Sequence, residues 1–244
     1  MDDSASCKRY HNALRLEKEG NYVMALHEYI AAIESDSTNR DAYLNLGALY
    51  SRMNRLGEAM DCYRKALELG DDYLVHFNMG SLLYKKGEYK QAVLVLEKSR
   101  RQNGSFTLTL LVMGLAFSRL RNHAAAGACF ERVLELEAGN RVALTALAII
   151  ELDRKNYERS LGLIDRILAE DSSNGSARKL RADVLYRMNR LDESASEIKS
   201  LRDEEHDYRS YDDFIREIPL EIYTDRYGTI EDKIASLGEK AAPG

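Results

Sequence analysis

The chain has 244 residues, 45% hydrophobic and 31% charged, so it can bury a continuous core and is not an intrinsically disordered sequence. Its 35 basic and 40 acidic residues give a net charge of −5, without the basic excess of a nucleic-acid-binding protein. This charge balance predicts no nucleic-acid partner. No apolar run reaches the length of a membrane span, so direct membrane insertion is not expected either.

The N-terminal residues are charged and lack the apolar segment of a signal peptide, which predicts a cytoplasmic location. An exported origin stays open if a signal segment was removed from the natural N-terminus. The three cysteines, Cys7, Cys62 and Cys129, show no C-x-x-C spacing and form an odd set. We therefore expect reduced thiols, as in a reducing compartment.

Small residues recur along the chain at a nearly constant interval. The first series is Ala13, Gly47, Gly80, Gly114, Ala148 and Ala182, and the second is Ala25, Ala59, Ala92, Ala126, Ser160 and Ser194. Each series has a period of about 34 residues, which predicts an array of similar supersecondary units. Such an array is more typical of a binding protein than of a single-core enzyme.

The period divides the chain into six units of two helices each, the helices being twelve to fourteen residues long and joined by a tight turn. The units are 6–39, 40–72, 73–106, 107–140, 141–174 and 175–208. In the second unit Tyr43, Leu46 and Tyr50 recur at the spacing of an amphipathic helix. Polar links such as 35–39 and 172–175 predict turns and helix N-caps between the units.

These residues resemble the tetratricopeptide repeat over about 6–208. The family's bulky position falls on Tyr43, its Leu-Gly pair on Leu46 and Gly47, its Ala on Ala59 and its large apolar position on Tyr63. The proline that often ends the family's second helix is absent in every unit. The resemblance implies an all-α solenoid of about six helix–turn–helix repeats that binds proteins.

Beyond residue 208 the period is lost. We expect residues 209–244 to form a C-terminal capping helix that ends before Pro219, followed by an acidic tail that contains aromatic residues. From Asp203 onward the chain has 12 acidic and 5 basic residues. The aromatic stretch around Tyr223 and Tyr227 could alternatively dock in the array's own groove or on another subunit.

Motifs of catalysis are missing from the sequence. It contains no Gly-rich phosphate loop, no H-E-x-x-H and no G-x-S-x-G, and its five histidines lack partners at metal-ligand spacing. The carboxylates lie mainly on predicted outward helix faces. We therefore predict a protein that is not an enzyme, with no catalytic residue, no cofactor and no metal.

The resemblance implies that the first helix of each repeat lines a concave groove. The groove residues are then Leu44, Asn45, Phe77, Asn78, Tyr84, Leu108, Leu111, Leu115, Ile149 and Leu152. The predicted helix over 107–120 is apolar around most of its circumference, whereas a solvent-facing helix carries a polar stripe. Two interpretations stay open: the groove binds an apolar or amphipathic segment of a protein or peptide partner, or the chain's own tail or a second copy fills it.

Polar residues accompany this groove. Asn45 and Asn78 hold the same position in adjacent units, where an amide can pair with a ligand backbone. Arg52, Lys85 and Arg119 form a basic rim, which either complements the helix dipoles or steers an acidic partner. The carboxylate clamp of chaperone-binding relatives is not reproduced, which disfavours an acidic chaperone C-terminus as the partner.

The sequence thus predicts a non-catalytic scaffold or adaptor for complex assembly that holds a partner segment in its groove. The alternative is a structural subunit, a homo-oligomer that self-associates through its tail and groove within a larger assembly.

Overall fold

The computed structural model describes residues 5–203, with side-chain environments for residues 5–198. Over this range the chain forms twelve α-helices and no β-strand. The helices are α1 (Ala5–Lys18), α2 (Tyr22–Ser35), α3 (Arg40–Arg52), α4 (Leu56–Leu69), α5 (Tyr73–Lys85), α6 (Tyr89–Gln102), α7 (Thr107–Arg119), α8 (His123–Leu136), α9 (Arg141–Asp153), α10 (Tyr157–Glu170), α11 (Gly175–Arg187) and α12 (Leu191–Asp203). The predicted all-α solenoid class, built from helix–turn–helix repeats, is confirmed.

The helices occur as six consecutive pairs within the described range. Each pair begins at, or one residue before, the start of a predicted unit. The end of the sixth unit at residue 208, and the predicted capping helix and tail over 209–244, lie outside the described residues.

Short polar side chains fix where the first helices begin. The Asn39 side-chain oxygen accepts a hydrogen bond from the backbone N–H of Ala42, 3.0 Å away. The same kind of cap starts α5, α9 and α11, with Asp72, Asn140 and Asn174. Because a cap satisfies one of the backbone donors left over at a helix N-terminus, these polar links mark the start of α3, α5, α9 and α11. In contrast, α7 begins after Phe106 without a side-chain cap.

The turn inside each repeat passes through one residue in the left-handed backbone region. The residues and their φ angles are Gly20 (80°), Asn54 (61°), Gly87 (78°), Arg121 (57°), Lys155 (64°) and Asn189 (62°). Glycine adopts this conformation without strain, whereas other L-residues lose roughly 1–2 kcal/mol there. Arg121 and Lys155 therefore hold their turns against a local backbone preference.

Glycines of the first helices receive large side chains from the second helices. The pairs are Gly47 with Tyr63, Gly80 with Leu96 and Gly114 with Phe130. A Cβ atom at Gly80 would lie 2.5 Å from Cγ of Leu96, closer than two carbon atoms can approach. This close packing is the physical basis of the small-residue series in the sequence.

The described chain divides after Gly104 into two compact units. Unit 1 comprises α1–α6 and unit 2 comprises α7–α12. The largest fully buried side chains of unit 1 include Tyr29, Tyr63 and Phe77, and those of unit 2 include Phe130 and Leu147. Each such side chain stabilises the fold by roughly 1.5–3 kcal/mol. They belong to successive repeats, so each unit has buried side chains in more than one repeat.

Candidate protein-binding surface

The predicted groove positions of α3 and α5 form what we call the first-helix face of unit 1. Its members are Leu44, Asn45, Ala48, Leu74, Phe77, Asn78, Ser81 and Tyr84. Leu44, Asn45 and Phe77 have no exposed surface, and Tyr84 is 7% exposed. The predicted groove residues of this unit are therefore present together on two neighbouring first helices, but they are buried.

Asn45 makes a contact that the sequence does not reveal. Its Nδ2 donates a hydrogen bond to the hydroxyl of Tyr10, 3.0 Å away in the preceding repeat. Asn78 holds the equivalent position on α5 and is 1% exposed. The Asn45 amide therefore ties α3 to α1, in addition to any contact with a ligand backbone.

The basic rim of unit 1 is exposed and linked to a buried carboxylate. Arg52 lies 3.3 Å from the carboxylate of Glu17, which also accepts a hydrogen bond of 3.0 Å from the hydroxyl of Tyr29. Lys85 lies 3.4 Å from the backbone carbonyl of Ser51. Arg52 and Lys85 keep their charged groups near the surface at the end of the face.

The first-helix face of unit 2 is formed by the predicted groove positions of α7 and α9. Its members are Leu108, Leu111, Val112, Leu115, Val142, Thr145, Ile149 and Leu152. Leu108, Leu111, Leu115 and Leu152 are at most 6% exposed. Ile149 is half-buried, and the rim residue Arg119 is exposed.

A second buried carboxylate organises the α9–α10 turn of unit 2. Glu151 has no exposed surface, although carboxylates are predicted to lie mainly on outward faces. It accepts a hydrogen bond of 2.7 Å from the side chain of Asn156 and lies 3.3 Å from Arg154. A buried charge needs such partners, so Glu151 is retained in the interior as the anchor of this turn. Only its contacts in the structure identify Glu151 as a buried residue, because its position in the sequence pattern of α9 resembles that of a surface residue.

A pocket of about 430 Å³ lies in unit 1, lined by Leu67, Asp71, His76, Lys98, Arg101 and Gln102. His76 is buried and lies 2.6 Å from Oδ1 of Asp71. Hydrogen bonds from Gln102 and His76 hold the pKa of Asp71 below its ordinary value. This contact joins the start of α5 to its preceding loop. The searched, described residues contain no group of three or more His, Cys, Asp or Glu able to hold a metal ion.

Profiles of the tetratricopeptide repeat match residues 41–73, 111–175 and 145–208. The chain belongs to the tetratricopeptide-repeat family. Tetratricopeptide repeats are scaffolds for protein–protein interaction, and this general role is the one that the fold supports for the array.

Several curated proteins are similar in sequence to this chain over part of their length. The chain is 25% identical over 172 residues to the protein O-mannosyl-transferase Tmtc3 of Drosophila melanogaster, covering 68% of this chain and 19% of that one. The curated relatives that it matches are much longer, since it spans between 19% and 33% of their lengths. Their whole-protein activities therefore do not transfer to this chain.

Solved structures show the same fold. PilF of Pseudomonas aeruginosa matches with a TM-score of 0.72 and 21% identity, covering 87% of this chain and 97% of that one. YrrB, described as a tetratricopeptide-repeat protein with an unusual peptide-binding site, matches with a TM-score of 0.58 and 22% identity, covering 75% and 91%. At these identities the likeness shows the fold alone. None of the described helices is both long and apolar enough to span a membrane.

Proposed function

We propose that this tetratricopeptide-repeat protein is a non-catalytic scaffold or adaptor that binds an apolar or amphipathic segment of a partner protein against its first-helix faces. The observation that carries this proposal is the apolar character of the face in unit 2. Leu108, Leu111, Leu115, Ile149 and Leu152 all occupy positions on its two first helices. Leu108, Leu111, Leu115 and Leu152 are buried, so a ligand would first meet the half-buried residues Val142 and Ile149 of α9.

An amphipathic helix suits such a face because its apolar side chains recur at i, i+3 and i+4. Each apolar side chain that it buries contributes roughly 1.5–3 kcal/mol before the cost of ordering the segment is subtracted. Ile149 and Val142 are half-buried and offer the accessible part of the face. Ligand binding would begin at these residues on α9.

The exposed basic residues at the ends of the first helices support an acidic flank on the partner segment. Arg52 and Lys85 lie at this position in unit 1, and Arg119 lies there in unit 2. Exposed charges of this kind mainly raise the association rate and orient the ligand. We therefore expect binding to weaken as the salt concentration rises.

Selection of displayed peptides against the full chain tests this function. We expect the selected sequences to carry apolar residues at helical spacing, with acidic residues at one end. Ile149→Asp should weaken the binding of a selected peptide by about tenfold or more, which corresponds to the loss of one buried apolar contact.

The matched control is Leu136→Asp, which places the same charge on a second helix of the same unit. Leu136 is 37% exposed and lies at the end of α8. Equal binding of the peptide to both variants, measured by isothermal titration calorimetry, would place the ligand elsewhere. Selected sequences without apolar residues at helical spacing would also contradict the proposal.

A second candidate function, a structural subunit that self-associates, is supported by a different surface. Tyr186, Leu191 and Ile198 of the last described repeat are 65%, 52% and 45% exposed. Large apolar residues that are exposed favour an interface. Analytical ultracentrifugation tests this candidate: a mass that rises with concentration, and that Tyr186→Lys abolishes, would support a homo-oligomer.

The proposal includes no reaction, cofactor or metal. The cytoplasmic location stays a prediction from the sequence. Cys7, Cys62 and Cys129 form no disulfide in the described part of the chain.

A further inference from the structure

The turns inside the three repeats of unit 1 lie on one edge of that unit, which we call the turn edge. It comprises residues 18–24, 52–58 and 85–91. The guanidinium of Arg52 lies over the ring of Tyr22, 5.3 Å from the ring centroid, and joins the second turn to the first. Nζ of Lys85 lies 3.4 Å from the carbonyl oxygen of Ser51 and joins the third turn to the end of α3. The three turns are therefore neighbours, and their exposed side chains share one edge.

Basic residues outnumber acidic ones on the turn edge. Its three segments contain six basic and three acidic residues, whereas the two links between the repeats of unit 1, 35–41 and 68–74, contain one basic and five acidic residues. All six basic side chains are exposed, namely Lys18, Arg52, Arg55, Lys85, Lys86 and Lys90. Because turns and links lie at opposite ends of the helices, the basic and the acidic connections lie on opposite edges of unit 1.

Ion pairs compensate only part of the basic excess. Three of the basic side chains have carboxylate partners: Arg52 with Glu17, Arg55 with Glu58 and Lys86 with Glu88. Glu19, the remaining acidic residue of the edge, is paired with Arg15. Lys18 and Lys90 have no ion pair within the described residues, so their charges are available to an anionic ligand.

Large apolar side chains are exposed on the same edge. Val23 and Met24 are 63% and 58% exposed, and Tyr22 and Met53 are 38% and 37% exposed. The positions of Val23 and Met24 are occupied in the next two repeats by Gly57 and Glu58, and by Lys90 and Gln91. The repeat therefore does not require apolar residues at these positions, and the core of unit 1 does not account for them.

Basic side chains around exposed apolar ones suit the surface of a membrane that contains anionic lipids. Such a surface attracts Lys and Arg through its negative potential and admits apolar side chains among its headgroups, without the need for a spanning helix. A protein partner would have to supply an interface core that fits Val23 and Met24, whereas a lipid surface adapts to them. A nucleic acid would match the charges but leave both apolar side chains in water.

We propose that the turn edge of unit 1 is a peripheral binding surface for membranes that contain anionic lipids. Val23 and Met24 enter the layer of lipid headgroups, and the basic side chains of the three turns contact the anionic groups around them. The turn edge shares only Arg52 and Lys85 with the basic rim of the first-helix face. The inference therefore goes beyond the proposed function and does not depend on it.

The sequence contains no tryptophan, so a single introduced tryptophan reports on its own surroundings. Val23→Trp in the full chain places the reporter on the turn edge. Leu94→Trp is the matched control, because Leu94 is 69% exposed on α6 but lies outside the turn edge. Each variant is mixed with vesicles of phosphatidylcholine, either alone or with about 30% phosphatidylserine, and its co-sedimentation and fluorescence emission are recorded.

We expect both variants to co-sediment with the vesicles that contain phosphatidylserine and not with phosphatidylcholine alone. The emission of Val23→Trp should shift to shorter wavelengths, and brominated lipids should quench it, whereas the emission of Leu94→Trp should not change. Raising the salt concentration from about 0.1 M to about 0.5 M should weaken binding by roughly tenfold. No binding, equal binding to both kinds of vesicle, or equal shifts at the two positions would overturn the proposal.

A pair of charge reversals tests the basic side chains that lie outside the basic rim. Lys18→Glu with Lys90→Glu should weaken binding to the anionic vesicles by about tenfold or more. Arg64→Glu with Lys65→Glu changes the net charge by the same amount on the exposed surface of α4 and should have little effect. An equal loss in both pairs would indicate a response to net charge alone and would overturn the proposal.

Two further measurements separate the turn edge from other ligands and from the first-helix face. Binding of a polyglutamate peptide to the turn edge, without binding to vesicles, would assign the edge to an acidic protein and overturn the proposal. Val23→Asp with Met24→Asp should weaken vesicle binding by at least about tenfold and leave the affinity for a selected peptide unchanged. Loss of peptide binding together with vesicle binding would make the two surfaces one and overturn the inference, whereas failure of every displayed peptide to bind would overturn only the proposed function.

Discussion

The hydroxyl of Ser160 donates a hydrogen bond to the backbone carbonyl of Ala148, 2.9 Å away and fully buried. Ser194 makes the same bond of 2.9 Å to the carbonyl of Ala182 in the next repeat. These serines stand where the other repeats have alanine, and the acceptors belong to the small-residue series of the first helix. The two series therefore meet, and in the last two described repeats a hydrogen bond joins them.

Removing this bond should have a small effect, whereas filling its space should have a large one. We expect Ser160→Ala to lower the free energy of unfolding by about 1 kcal/mol, because one hydrogen bond is lost. We expect Ser160→Val to lower it by about 1–3 kcal/mol, because the packed helices cannot separate to admit the extra methyl groups. Urea unfolding followed by circular dichroism measures both. The reciprocal change Ala126→Ser should be nearly neutral, and a loss as large as that of Ser160→Val would refute this interpretation.

The glycines of the first helices are required for close approach. Gly80→Ala places a Cβ 2.5 Å from Cγ of Leu96, so we expect a loss of about 1–3 kcal/mol despite the better helix propensity of alanine. Gly162→Ala is the matched control, since a Cβ there meets nothing within 4 Å. It should stabilise the chain by about 0.5–1 kcal/mol, and the prediction fails if thermal unfolding ranks the two variants in the opposite order.

The left-handed turns offer a second test of local strain. Lys155 has a φ of 64°, so Lys155→Gly should raise stability by about 0.5–1 kcal/mol, the relief of strain being partly offset by the entropy of glycine in the unfolded chain. Gly87→Ala, at the equivalent turn with a φ of 78°, should destabilise by about 1 kcal/mol. If the melting temperatures of both variants fell, contacts other than backbone strain would dominate the stability of these turns.

Partial burial lowers the reactivity of the Cys62 thiol. Desolvation, with smaller contributions from Asp61 and Glu58, raises the pKa of Cys62 from 9.0 to about 12. At pH 8 the folded chain therefore contains roughly a thousandfold less Cys62 thiolate than the unfolded chain, and alkylation should slow accordingly. Mass spectrometry of the modified peptide measures this ratio, and similar rates with and without urea would contradict it.

The same shift predicts the direction of a pH effect on stability. Above about pH 9 the unfolded thiol loses its proton while the folded thiol keeps it, so the folded state loses stability as the pH rises from 9.0 towards 12. Cys62→Ala should remove this part of the pH dependence. Its unfolding midpoint, compared with that of the unaltered chain across this range, provides the measurement.

Part of the surface could be predicted from the sequence. Leu111 and Leu115 follow from the position of Gly114 in the repeat, because local spacing fixes which side of an α-helix a residue occupies. The burial of that side could not be predicted, since it depends on groups distant in the sequence. The contact of Asn45 with Tyr10 joins residues 35 positions apart, and no local pattern distinguishes it from an exposed amide.

The sequence by itself determined the repeat, because each unit repeats the same local signals: a polar cap, two amphipathic helices and small residues where the helices meet. Only the tertiary structure decided which polar groups enter the interior. Glu17 and Glu151 are carboxylates on amphipathic helices, and they are buried because Tyr29 and Asn156 donate hydrogen bonds to them. Such a charge is retained only where its donors converge in three dimensions, and this convergence is a property of the packed repeats rather than of any segment of the chain.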